Sequence, residues 1–241
     1  MAIPKFFHNS KQFVENETIV LSEEEARHAS MARRLQVGSD VVLLNGQGMT
    51  AKGRFLDLNK RSATVVVDQV AQHSAPDRKI RIASAIPKGD RQKVMIDMLT
   101  QCAVVEFIPL ECEFSVVQAN SKLIQKWQRI VIEACKQSGN PFAMQIRQPI
   151  AVNDLILADV WQQSQVLRAE QRSETSKVLE ATIESKMKKT DILVVIGPEG
   201  GFSEAEIASF DSGGIDKISL SAHILRTETA AIAAAVRLCN V

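Results

Sequence analysis

The residues best suited to chemistry lie in two short stretches near the C-terminal end of the 241-residue chain. The first, Gly197-Pro198-Glu199-Gly200-Gly201-Phe202, follows the apolar run Ile192 to Ile196 and precedes Ser203-Glu204-Ala205-Glu206. Ser203 and Glu206 are spaced so that each side chain can hold the other's backbone amide, which starts a helix. Strand, glycine loop and helix start are therefore all in place, as in the loops that bind ligands at the carboxyl ends of strands in open α/β sheets. Glycines let a ligand come close to the backbone. The loop is neither G-x-G-x-x-G nor a P-loop, and the Glu199 carboxylate would repel a pyrophosphate seeking helix-end amides. A phosphate-free ligand with a cation and hydroxyls fits better, and S-adenosylmethionine has that makeup. A tight turn without a ligand is the other use of the same glycines.

The second stretch, Ser221-Ala222-His223-Ile224-Leu225-Arg226-Thr227-Glu228-Thr229, follows Lys217 to Leu220 and leads into a helix carrying Ala230, Ala231, Ala233, Ala234 and Ala235. Small side chains admit a second backbone at close range, inside the chain or across a subunit interface. They are also strong helix formers. Arg226 to Glu228 read equally as a charged site or as a solvated helix cap with Thr227 or Thr229 at the N-cap. Other chemistries have less to stand on. Four histidines show no H-E-x-x-H or clustered spacing, so no metal is expected. Four cysteines without a C-x-x-C pair read as reduced thiols, and no G-x-S-x-G is present. A net charge of +1 excludes a protein that grips nucleic acid by bulk charge, and 5% aromatics with no tyrosine argue against a base-stacking platform. Met1 to Asn9 lacks the apolar core of a signal peptide and no apolar run reaches bilayer length, so the expected location is cytoplasmic.

The elements that must position these stretches change grammar along the chain. Ser22-Glu23-Glu24-Glu25 spells a reciprocal capping box, with a helix predicted to about Arg34. Val41 to Leu44, Gly53 to Leu58 and Ala63 to Val67, separated by Asn45-Gly46 and Asn59-Lys60, predict short strands joined by hairpins in a small barrel or curled sheet. Ala71 to Pro76 reads as a linker. From Lys79 onward strands and helices alternate: Ile80, Ile82 and Ile86, then Met95, Met98, Leu99 and Cys102 at helical spacing, then Val104 to Leu110. A helix through Trp127, Ile130, Val131 and Ala134 should stop near Gly139-Asn140-Pro141. The alternation continues through Gln165 to Leu167, Lys177 to Lys189, Ile192 to Ile196, Glu204 to Phe210, Lys217 to Leu220 and Glu228 to Leu238. Such a pattern predicts an α/β fold, a mostly parallel sheet with helices on both faces.

Together, Gly197 to Ser203 and Leu225-Arg226-Thr227-Glu228-Thr229-Ala230 resemble the ribosomal RNA small subunit methyltransferase E family of the knotted SPOUT superfamily. The resemblance covers almost the whole chain. Phe6-Phe7, His28 with Arg34 and Gly38, Lys88-Gly89, Ile108-Pro109-Leu110 and Gln137-Ser138-Gly139 stand where that family has similar residues. It implies a PUA-like β-barrel RNA-binding domain over 1-72 and a SPOUT methyltransferase domain over 78-241, threaded as a trefoil knot. It further implies S-adenosylmethionine held between the two loops by Leu167, Ile196, Gly197, Pro198, Glu199, Gly200, Gly201, Leu220, Ser221, Ile224, Leu225, Arg226 and Thr227. The family is a homodimer that methylates uridine N3 in the decoding region of 16S ribosomal RNA, as free RNA or in the assembled 30S subunit. On that reading Arg226 orients the base or stabilises charge on its carbonyl oxygens, and Glu199 takes the N3 proton, binds the cofactor amine or caps the loop.

Lys5, Arg34, Lys52, Arg54, Arg78, Lys88 and Arg91 could line a phosphate track, or be ordinary solvated charges. The chain departs from the family at several positions. Ser221, Ala222 and His223 replace a common Gly-Pro-Arg, Thr100 to Ala103 replaces a Glu-Leu-Gly turn, and Phe114 and Asn140 replace arginines. The alternatives are a knotted methyltransferase acting on another rRNA or tRNA position, and an inactive RNA-binding module.

Overall fold

The structure, a computed structural model, describes residues 3–31, 35–170, 177–178, 191–213 and 215–239. These form two compact units, 1–75 with 132–143, and 76–131 with 144–241. The expected helix end at Arg34 and most of the predicted Lys177 to Lys189 element lie outside the described residues.

The first unit contains β1 (Lys5–Phe7), β2 (Thr18–Val20), α1 (Glu23–Met31), β3 (Asp40–Leu44), β4 (Met49–Leu58) and β5 (Ala63–Gln72). They make a five-stranded sheet ordered β1-β3-β4-β5-β2. Along β5 the period-two rule holds, with Ala63, Val65 and Val67 buried against Phe6, Ile19, Leu43 and Phe55. Register shifts at Lys52/Gly53 and Phe55/Asp57 are bulges, which bend and twist the sheet. At the first of them a Cβ on Gly53 would lie 2.2 Å from the Val66 carbonyl oxygen, so only glycine fits.

Two expectations change here. The polar stretch after Val67 is not a linker from residue 71, because β5 runs on to Gln72 with Met49 opposite it. Backbone pairing with the long β4 outweighs the polar side chains. The Ser22 hydroxyl does accept the Glu25 amide at 3.3 Å, but the Glu25 carboxylate turns instead to the Lys136 ammonium at 2.8 Å. Both side chains are over nine-tenths buried, and Lys136 also meets the exposed Glu133 at 2.8 Å. Burial pulls the Lys136 ammonium down, yet Glu133 and Glu25 carry it above its ordinary value.

The second unit contains β6 (Ile80–Ser84), α2 (Arg91–Gln101), β7 (Glu106–Glu111), β8 (Gln145–Ile146), β9 (Ile150–Ala151), α4 (Val152–Leu157), α5 (Asp159–Gln162), β10 (Gln165–Glu170), β11 (Lys177–Val178) and β12 (Ile192–Ile196). It continues with α6 (Glu204–Ser212), β13 (Asp216–Ser219) and α7 (Thr227–Cys239), while α3 (Ser121–Ser138) is shared between the units from residue 132 on. The sheet is ordered β11-β13-β10-β12-β6-β7-β8, with β9 also against β7, and all its pairs are parallel, as the alternation predicts.

All five residues of the central strand β12 are buried, as a strand covered on both faces requires. Leu193 and Val195 join one core with Leu155, Trp161 and Phe210, while α7 covers the other face by packing on α2, β6 and β12. Ala231, Ala234 and Ala235 are fully buried in that packing, so the small side chains serve close approach inside the chain. Among the described residues no helix is long and apolar enough to cross a membrane.

Glu25→Ala should lower stability by about 3 kcal/mol, since it leaves a buried ammonium without its buried partner. Glu133→Ala, at an exposed carboxylate, should cost less than about 1 kcal/mol. Because the Lys136 pKa is raised, its contribution is complete below the ordinary lysine range and disappears as pH climbs through the raised value. Urea unfolding of both variants at neutral and alkaline pH measures each point.

Candidate functional site

The strand order dictates where the two chemical stretches meet. β13 pairs outside β10, whereas α7 returns to β6 and β12, so residues 220–226 must cross the carboxyl ends of β10 and β12. There they meet the loop leaving β12. The Thr227 hydroxyl donates to the Gly197 carbonyl at 3.3 Å across 30 positions of sequence. Thr227 and Glu228 are buried, so this helix start is not the solvated cap that its charged run suggested.

The first loop is braced from behind. Gly201 adopts φ 79°, in the left-handed region, and its amide closes a turn onto the Pro198 carbonyl at 2.9 Å. Ser203 and Glu206 form the predicted reciprocal box, the Ser203 hydroxyl accepting the Glu206 amide and the Glu206 carboxylate the Ser203 amide. The same carboxylate accepts the Glu113 amide at 2.9 Å. A Cβ at Gly197 would sit 2.9 Å from the Phe202 ring, which is itself packed edge-on against Phe210 at 4.8 Å. At Gly200 the neighbour would be Phe114, whose Cβ would lie 3.3 Å away. In the second loop, the Ser221 hydroxyl accepts the His223 amide at 3.1 Å and the Ser219 hydroxyl donates to the Ser221 carbonyl at 3.0 Å.

Between the loops lies a cavity of about 450 Å³. Of the expected ligand-binding residues, Ile196, Gly197, Pro198, Glu199, Gly200, Gly201, Leu220, Ser221, Ile224, Leu225 and Thr227 line it. Leu167 is wholly buried in β10 and does not, and Arg226 is exposed beside it, outside the lining. Sequence reasoning missed Arg168 and Glu170, which enter from the carboxyl end of β10. Charged residues closing a parallel strand were the available signal. Arg168 is buried, with Glu170 at 3.3 Å, Asp211 at 3.5 Å and the Phe210 ring beneath its guanidinium. Ala169, Phe202, Ile207, His223 and Ala230 complete the wall.

The resulting chemistry is an apolar slot with accessible backbone at glycines and three charged side chains, Arg168, Glu170 and Glu199, which sum to one negative charge. That donor set suits a compact ligand carrying positive charge and hydroxyls, and it fits S-adenosylmethionine better than a nucleoside phosphate. Thiol nucleophiles have no part in it: burial pushes Cys112, Cys135 and Cys239 to about 12 and raises Cys102 as well.

The basic residues expected on a phosphate track fall out unevenly. Lys52 and Lys88 are exposed and Lys5 is half-buried. Arg54 is held by both oxygens of Asp68 at 2.9 Å. Arg91 meets Glu199 at 2.8 Å and Glu228 at 3.8 Å. Arg78 is half-buried and has an interaction within the fold, and Arg34 lies outside the described residues.

Residues 74–238 match the family model of an RNA methyltransferase domain, and residues 21–68 that of an RNA methyltransferase PUA domain. Ribosomal RNA small subunit methyltransferase E of Bacillus subtilis is 28% identical over 233 residues, covering 93% of this chain and 91% of that protein. Its namesake in Aquifex aeolicus is 29% identical over 226 residues, covering 92% and 94%. Among solved structures, a Legionella pneumophila protein in complex with the bound cofactor SAM superposes with a TM-score of 0.86 at 26% identity, covering 99% of this chain and 97% of that one.

Gly197→Ala should weaken binding of S-adenosylmethionine by about tenfold or more, equivalent to ~1.4 kcal/mol, because the pinned Phe202 ring leaves the new methyl no space outside the cavity. Isothermal titration calorimetry checks this, with Gly38→Ala, at a left-handed glycine of the first unit, as the control for general strain.

Proposed function

The chain belongs to the RNA methyltransferase family, and from that premise we propose that it transfers the methyl group of S-adenosylmethionine to N3 of a uridine in the decoding region of small-subunit ribosomal RNA. The observation that carries the proposal is the cavity where the Gly197 to Phe202 loop meets the Leu220 to Thr227 crossing. When bound there, S-adenosylmethionine supplies a methyl group activated by a sulfonium. The glycine backbone and the apolar Ile196, Leu220 and Leu225 hold the donor. Glu170 and Glu199 offset its positive charge.

Uracil N3 bears a proton and becomes a good nucleophile only as that proton leaves. Transfer then forms the N3–methyl bond as the methyl–sulfur bond breaks, while negative charge spreads to the uracil carbonyl oxygens. Arg226 is the residue for that charge: it is exposed beside the cavity, and its guanidinium pairs with no carboxylate among the described residues. Glu199 is held by Arg91 at 2.8 Å, an arrangement that favours a binding role over removal of the N3 proton. Holding base and donor in line supplies much of the acceleration.

The first unit is read as an RNA-binding domain of the PUA kind, with Lys5 and Lys52 among its contacts, and Lys88 as a contact from the second unit. The active form is read as a homodimer, supported by the exposed apolar Val94 and Met98 on α2 and Val236 on the neighbouring α7. A cytoplasmic location follows from a ribosomal substrate.

Mass spectrometry of ribosomal RNA from cells with and without the gene should show loss of one N3-methyluridine in the small subunit. A missing methyl at another nucleotide would redirect the assignment, and an unchanged RNA would refute the activity. Arg226→Ala should lower kcat by about 10²–10³-fold while changing donor affinity little, the pattern of a group that acts on transition-state charge. Equal losses in both would move Arg226 to a binding role.

A further inference from the structure

One cluster at the rim of the cavity is not explained by donor contact or by RNA contact. Arg91 begins α2, and its Nε donates to the Lys88 carbonyl at 3.3 Å, which fixes the direction of the guanidinium. Its Nη1 then lies 2.8 Å from Glu199, on the loop after β12, and 3.8 Å from Glu228, at the start of α7. Glu228 is buried to more than nine-tenths, and its Oε2 has no hydrogen-bond partner among the described residues. A buried carboxylate so poorly satisfied is tolerated only beside a compensating cation. The Arg91 guanidinium is the cation that the structure puts there.

From this geometry we propose that Arg91 is a positioning residue of the donor site, one guanidinium joining the loops after β6, β12 and β13 and thereby setting the separation of the cavity's two walls. It was expected on the phosphate track. With its charge directed to two carboxylates, it acts on the donor through Glu199 and the helix start behind Thr227, and it makes no phosphate contact. The inference rests on the reading of the cavity as the S-adenosylmethionine site.

The test uses the full chain and S-adenosylmethionine in calorimetry, comparing wild type, Arg91→Gln, Arg91→Lys, Glu199→Gln and the Arg91→Gln/Glu199→Gln pair. Arg91→Gln should weaken donor binding by roughly two- to thirty-fold, the range for residues that act through a neighbour. Arg91→Lys should recover part of the loss, since an ammonium can reach one carboxylate but cannot span two. The double variant should lose less than the product of the single losses, which a general loss of fold would not produce. Steady-state kinetics of Arg91→Lys should raise KM for the donor while leaving kcat near wild type. The slope of RNA affinity against salt should be unchanged.

Donor binding unaltered in both Arg91 variants overturns the proposal, as does a salt slope reduced by about one, the mark of a lost phosphate contact. If wild type itself binds no S-adenosylmethionine, the reading of the cavity falls and this inference falls with it. Wild-type binding with insensitive variants removes this inference alone.

Discussion

Two backbone segments lying side by side at the carboxyl edge of a parallel sheet are the constraint on which the site depends, and the Thr227 hydroxyl on the Gly197 carbonyl marks their contact. One such bond contributes only about 1 kcal/mol, too little to organise two loops by itself. The larger cause is packing. β13 pairs outside β10 while α7 must cover β6 and β12, so the chain between them has to return across the ends of the strands. Fully buried alanines at 231, 234 and 235 let α7 settle close to its neighbours. Larger side chains on that face would lift the helix, and with it Thr227, away from the glycine loop.

Charge does a second kind of work. In each unit a side chain carrying one sign is buried or half-buried against residues far away in sequence: Lys136 on Glu25, Arg168 on Asp211, Arg91 on Glu199 and Glu228. Such pairs add little net stability relative to apolar packing, because both ions lose water. Removing one partner is a different matter, since it strands the other. The pairs therefore penalise alternative arrangements of the loops more than they stabilise the native one, and at the cavity rim that penalty falls on displacement of Glu199 or Glu228.

What the sequence revealed follows the range of the interaction involved. The apolar run of β12, the Ser203 and Glu206 box and the glycine turn are local, so each was legible from residues a few positions apart. The continuation of β5 to Gln72 was not, because its cause is backbone pairing with Met49 and its side chains are polar. Glu25 looked like half of a local cap, and its actual partner is 111 positions away. At the site, the two motif loops identified most of the wall, whereas Arg168 and Glu170 were missed because charged residues after a buried strand resemble ordinary surface. Leu167, one position earlier, is wholly buried in the body of the strand, whereas Arg168, Ala169 and Glu170 at its carboxyl end all reach the cavity, so position along the strand separates lining from packing. The expectations of a threaded C-terminal segment and of a homodimer had no local signature and came from family resemblance alone.

The electrostatics of the rim also bear on how two substrates of opposite charge share one site. Glu199, Glu228 and Arg91 together leave one net negative charge at the cavity mouth, which favours a cationic donor and disfavours the approach of RNA phosphate. A chain with a net charge of only +1 has no bulk field to overcome that local repulsion. Under the proposed function, the base must therefore be brought in by discrete cations outside the cavity, while the phosphates are kept off its floor. Arg226 meets that requirement, being exposed and adjacent in sequence to Leu225 and Thr227 of the cavity wall. On that reading the division is physical as well as positional: Glu170 and Glu199 in the wall favour the cationic donor, and a guanidinium that pairs with no carboxylate among the described residues meets the negative charge that develops on the base as its proton departs.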